Sequence, residues 1–142
     1  MSIKAHASAA PPMAPLNPPS KAGGITLWIL RGLLAIAFLG AGFAKLSGQP
    51  MMVAEFQAIG IGQWFRYLTG SLEIVGVILL LIPRMTGVGG LLLTCIMAGA
   101  IVAHLTRLHT PVMALVPLIL LLLSATVAWN DRVHLRRFLG KV

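Results

Sequence analysis

Apolar residues run through this chain in four long blocks instead of alternating with polar ones. The first block, residues 25–46, carries Arg31 near its start and Lys45 at its end and is otherwise apolar. The second begins near Tyr67 and stops at Pro83, interrupted only by Glu73. At about 16 residues it is short, so it borrows length from Gln63 and Trp64, which sets the span at residues 64–83. The third, residues 85–106, holds 22 positions without a Lys, Arg, Asp or Glu, and the fourth, residues 108–130, holds 23. About 20 helical residues rising 1.5 Å each cross a hydrocarbon core of ~30 Å. The pattern predicts an all-α integral membrane protein, a four-helix bundle. Pro117 falls inside the fourth block, where it removes one helical donor and is expected to kink the helix.

The segments between and beyond the blocks have their own character. Residues 1–24 hold five of the nine prolines among alanines and serines, which predicts a disordered or polyproline-like arm. That arm lacks the apolar stretch of a signal peptide, and its P-x-x-P spacings suit a passive tether. Residues 47–66 form the longest connection. Met52, Phe56 and Ile59 recur there at near-helical spacing, with Glu55 and Gln57 on other faces, so the segment reads either as a short amphipathic helix lying flat on the membrane or as a plain loop capping the bundle. Gly60 and Gly62 turn the chain back. Residues 131–142 form a basic end outside the transmembrane domain of residues 25–130.

Composition closes off the other classes. Of 142 residues, 58% are hydrophobic and 10% charged, against ~25% charged in ordinary soluble domains. A water-soluble globule of this size cannot hide so much apolar surface. A single cysteine, Cys95, excludes a disulfide-stapled module and a C-x-x-C redox pair. A net charge of +8 is common to nucleic-acid binders, but on so apolar a chain the basic residues are explained by membrane topology and headgroup contact. With the N-terminus inside, the cytoplasmic segments collect Lys4, Lys21, Arg84, Arg132, Arg136, Arg137 and Lys141, and the outer loops only Lys45, Arg66 and Arg107. Both termini are therefore expected in the cytoplasm of a cell whose inner membrane holds the protein.

Ionisable residues within the blocks carry the candidate chemistry, because a charge at a helix centre raises the insertion free energy by ~2.5–3.5 kcal/mol. These are Arg31, Lys45, Glu73 and His104, with Arg84 at a border. The first two spans are antiparallel, so Lys45 and Glu73 share the outer half, and an ion pair between them would relieve both desolvation penalties. His104 lies near the outer end of the third span, at a depth close to Lys45. Gly87, Gly90, Thr94, Met97 and Ile101 precede it at three- and four-residue spacing, a stripe suited to close helix packing. A Lys, a Glu and a His around one region, closed above by residues 47–66, describe a site for a small polar headgroup such as a quinone ring, or a short proton relay. The alternative is structural: Lys45 and His104 snorkel into headgroups, and Glu73 fixes helix register. Arg31 either pairs with Asp131, reaches lipid phosphate or meets something bound. One intramembrane histidine does not make a bis-histidine haem site, and no ligands have zinc spacing.

The run from Arg31-Gly32-Leu33-Leu34 through Phe38-Leu39-Gly40-Ala41-Gly42-Phe43-Ala44-Lys45-Leu46, then Ile59-Gly60-Ile61, Leu72-Glu73, Gly76, Leu79-Leu80, Pro83-Arg84, Met97 and His104 resembles the DoxX family, over roughly residues 27–128. The resemblance implies a four-helix inner-membrane protein with Arg31, Lys45, Glu73, Arg84 and His104 at the family's recurring polar positions. The family takes its name from a small membrane subunit of a thiosulfate:quinone oxidoreductase. Two functions stand as expectations. One is a membrane subunit, at most part of an oxidoreductase, that binds quinone or relays protons for a redox partner. The other is a non-catalytic anchor or assembly subunit of a larger membrane complex or homo-oligomer, with a dimeric small-solute carrier third.

Overall fold

A computed structural model describes residues 21–132 and Gly140. The expectations for residues 1–20 and for Arg136, Arg137, Lys141 and most of the basic end lie outside these residues. Five helices are formed by the described residues: α1, Lys21–Leu46; α2, Pro50–Ile59; α3, Gln63–Leu81; α4, Thr86–Thr106; and α5, Leu115–Asn130. No strand occurs among the described residues. Gly24–Leu46 of α1, all of α3 and all of α4 are long and apolar enough to cross a membrane, while α5 is an apolar helix of 16 residues. Large apolar side chains such as Ile36 and Phe43 on α1 and Val102 and Leu105 on α4 point outward and are exposed. That is the arrangement of helices whose solvent is lipid, and the protein is a membrane protein.

The four longer helices run alternately up and down. α1 packs on α3, α3 on α4 and α4 on α5, while a smaller contact between α5 and α1 closes the circuit. Lipid provides no hydrophobic force between helices, so close backbone approach must supply contact energy, and glycine permits it. At Gly89 a Cβ would stand 2.4 Å from the Leu80 nitrogen and 2.7 Å from the Gly76 carbonyl oxygen, so α3 and α4 touch backbone to backbone. The small-residue stripe expected on α4 is there: Gly87, Gly90 and Met97 are buried, and Thr94 Oγ1 meets Ser124 Oγ of α5 at 3.1 Å. One half of the interior, toward the α1 N-terminus, is solid, filled by Leu34, Ala35, Phe38, Val77, Leu80, Leu93, Met97 and Val127.

Three boundaries differ from the sequence reading, the first being α1, which starts at Lys21 within the stretch expected to be disordered. The fourth apolar block begins at Leu108, but residues 107–114 are turns and α5 starts only at Leu115. Pro117 therefore stands in the first turn of α5, where the backbone N–H has no carbonyl within the helix to bond, and it produces no mid-helix kink. The second block closes earlier than Pro83. α3 ends at Leu81, and the turn to α4 holds Arg84 exposed with a left-handed φ of 76°.

Candidate functional site

The other half of the interior is hollow. A cavity of about 760 Å³ lies between α1, α3, α4 and α5 and beneath α2. Its walls are mostly apolar. Phe38 and Met97, at the edge of the solid core, line its deep end, and Met52, Phe56 and Ile59 of α2 contribute to its roof. Gly99 and Ala100 of α4 and Ala41 and Ala44 of α1 leave the space that larger side chains would fill. The cavity's ionisable groups are Lys45, Glu55, Glu73 and His104, together with Cys95.

Lys45 and Glu73 form a salt bridge, with the Lys45 ammonium donating to both carboxylate oxygens at 3.0 Å. Two glycines make the pair possible. A Cβ at Gly70 would lie 3.0 Å from the Lys45 Cβ and 3.2 Å from the Gly42 carbonyl oxygen, so α1 and α3 cross closely one turn from Glu73. Burial leaves the Glu73 side chain 1% exposed and that of Lys45 15% exposed. In such surroundings the mutual hydrogen bonds offset the cost of desolvating both charges.

Arg66 steadies the end of α1 from which Lys45 projects. Its Nη1 donates to the Lys45 carbonyl, one of the acceptors that a helix C-terminus leaves without an internal partner, and its Nε donates to Gln63 Oε1 at 2.8 Å. The guanidinium lies 4.3 Å from the centre of the Tyr67 ring. Gln63 Nε2 in turn donates to the Val53 carbonyl at 2.9 Å, tying α2 to the same network. α2 itself starts with Pro50 and ends at Gly60, whose φ of 80° allows its N–H to bond the Gln57 and Phe56 carbonyls.

His104 belongs to the cavity but has a partner other than the Lys45–Glu73 pair. Its Nε2 lies 3.8 Å from Glu55 Oε1, and its Nδ1 is 3.0 Å from the Thr110 hydroxyl in the turn after α4. Glu55 shares the cavity-facing side of α2 with Met52, Phe56 and Ile59, contrary to the expectation that it occupies another face. Two polar pairs, Lys45–Glu73 and Glu55–His104, thus flank one apolar space.

Arg31 and Arg84 are not brought to this site. Arg84 is in the exposed α3–α4 turn, and Arg31 lies on α1 beyond Phe38 and the solid core. The possible Arg31–Asp131 pair is absent: Asp131 Oδ2 accepts the Gly87 N–H at 2.9 Å, at the start of α4. Arg31 packs instead over the Trp28 ring at 5.5 Å. Glu55 and Arg66 are the residues that the sequence reading passed over. Glu55 had a usable signal, because it stands three residues after Met52 and four before Ile59 and so falls within their helical stripe. Arg66 had none, since a basic residue beside Trp64 and Tyr67 also suits a headgroup anchor.

A family model described as DoxX-like family matches residues 29–127, which include every residue lining the cavity. A protein of Bacillus subtilis (strain 168), bearing the name Uncharacterized protein YdgD, is 34% identical over 99 residues, covering 66% of this chain and 87% of that protein. No solved structure matches the chain.

Proposed function

The chain belongs to the DoxX-like family, and from that premise we propose that it is a small inner-membrane subunit or accessory of a quinone-linked redox complex. In this reading α1, α3, α4 and α5 each cross the bilayer, both termini face the cytoplasm, and α2 lies along the outer interface as a lid. The observation that carries the proposal is the cavity of about 760 Å³, apolar toward Phe38 and Met97 and flanked by Lys45–Glu73 and Glu55–His104.

The donor set suits a quinone ring. Sites for such ligands are concave and mostly apolar, with a few polar groups that fix orientation. Lys45 has three N–H donors, two of them directed to Glu73, and His104 Nε2 faces the cavity region beside Glu55. Lys45 and His104 would bind and orient the ring's carbonyl oxygens, while Phe38 and Met97 would accommodate its apolar part. A quinone, when bound, supplies reversible two-electron, two-proton chemistry. Glu55 and His104 would hold protons at the lid end, where side chains are 29% and 14% exposed and water can reach them. α2 would exclude bulk water from the rest of the cavity. With one cysteine in the chain, the electrons would come from a protein partner.

Purification in mild detergent, followed by extraction and quantification of bound quinone, tests the proposal. Near-stoichiometric quinone in the wild type, and its loss in folded Glu73→Gln and His104→Gln variants, is the expected result. A quinone-free wild type, or equal retention in both variants, would reject it.

A further inference from the structure

Arg31 presents a different problem from the cavity residues. Its Nε is fully buried and has no hydrogen-bond partner among the described residues, and its guanidinium lies 5.5 Å from the Trp28 ring centre. Leaving a buried charged donor unsatisfied is costly, and Asp131, the acid in reach by level, is engaged with the Gly87 amide. An acceptor from outside the described residues is called for.

The neighbouring helix repeats the arrangement. Arg132, just past the end of α5, lies 5.2 Å from the Trp129 ring centre. Leu34 of α1 and Val127 of α5 belong to one buried cluster, and α1 and α5 run antiparallel in contact. Arg31 precedes Leu34 by three residues and Arg132 follows Val127 by five, so both lie toward the same end of the antiparallel pair. Two arginines, each against a tryptophan, thus stand at the same end of α1 and α5. Tryptophan rings favour the headgroup level, and the exposed Trp28 and Trp129 mark that level here.

We infer that this end of α1 and α5 binds the phosphodiester of an acidic phospholipid, with Arg31 as the inner ligand and Arg132 as the outer one. The guanidinium fork matches two oxygens of a phosphate, and partial burial strengthens each charge-assisted bond. The exposed Trp28, one turn from Arg31 on the same side of α1, provides an apolar surface beside it. Zwitterionic lipid is disfavoured because its choline cation would approach two arginines. The site is separated from the quinone cavity by the solid core and does not depend on it.

Native mass spectrometry of the full chain in detergent, titrated separately with phosphatidylglycerol, phosphatidylcholine and inorganic phosphate, tests this inference. Wild type is expected to retain phosphatidylglycerol at least about tenfold more strongly than Arg31→Gln, the loss of one charged hydrogen bond. Arg132→Gln should lose less, and Arg31→Lys, which keeps the charge without the planar fork, should fall between. Should Arg31→Gln fail to fold, Arg31→Lys and Arg132→Gln still decide the matter. Equal retention of phosphatidylglycerol by wild type and the folded variants would overturn the inference. So would equal binding of phosphatidylcholine, or inorganic phosphate displacing the lipid at equal concentration.

Discussion

Lys45 Nζ lies 3.0 Å from both carboxylate oxygens of Glu73, a residue 28 positions later on a different helix. The two partners are unequally buried, and this makes their removal unequal. Lys45 is near the end of α1 and 15% exposed, so it can extend toward headgroups if Glu73 is lost, whereas Glu73 at 1% exposed has no such escape. Lys45→Met is therefore expected to cost about 3–5 kcal/mol, and Glu73→Leu less. The double variant Lys45→Met/Glu73→Leu should recover much of the loss. Thermal or denaturant unfolding in detergent, arranged as a double-mutant cycle, checks the order; a double variant as unstable as the sum of the two singles would contradict it.

Gly89 and Gly99 are on the same helix and should respond in opposite ways to alanine. A methyl group at Gly89 would collide with backbone atoms of α3 at 2.4 and 2.7 Å, which no side-chain adjustment relieves. Nothing lies within 4 Å of the Gly99 position. Gly89→Ala is expected to destabilise by about 1–3 kcal/mol or more, and Gly99→Ala to be neutral or stabilising by up to about 1 kcal/mol through helix propensity. Melting temperatures of the two variants measure the difference.

Filling the cavity should separate binding from folding. Gly99→Leu places a branched side chain into open space lined by the proposed ligand site. Its unfolding midpoint is expected to remain at or above that of wild type, while bound quinone falls at least tenfold. Unchanged quinone content in this variant would argue that the ligand binds elsewhere.

Arg66 should control the end of α1 from a distance in sequence. The Arg66 side chain is 3% exposed and reaches the Lys45 carbonyl. Arg66→Met removes that capping bond and leaves Gln63 Oε1 without its donor, for an expected cost of about 1.5–3 kcal/mol. Hydrogen exchange should quicken first at Ser47, Gly48 and Gln49, whose amides bond carbonyls of the last turn of α1.

How much was legible beforehand depends on the kind of interaction. Apolar blocks led to the α4 limits and the end of α1 within a residue, though α1 starts four residues before its block, because length and hydropathy govern insertion regardless of what surrounds the helix. The Lys45–Glu73 contact was legible too: antiparallel spans put both charges at one depth, and an unpaired charge there is expensive. The start of α5 was not. Residues 108–114 carry no Lys, Arg, Asp or Glu and so extend the apolar block, but Pro111, which lacks an amide donor, and His109, with a left-handed φ of 52°, keep them from continuing a helix.

The chain by itself determined that the protein is helical, where its three longest helices lie, and which few charges enter the apolar region, because these follow from local hydropathy and from the cost of burying charge. Only the tertiary structure decided that the interior is solid at one end and hollow at the other. That division arises where helices cross: glycine contacts bring α3 against α4 along the core, while the short α5 and the small residues of α1 and α4 leave space beneath α2. Helix rotation also decided that Glu55 turns toward His104 and that the Arg31 Nε is buried without an acceptor among the described residues. A sequence states the depth of each charge, but the direction it faces depends on packing against every neighbouring helix at once.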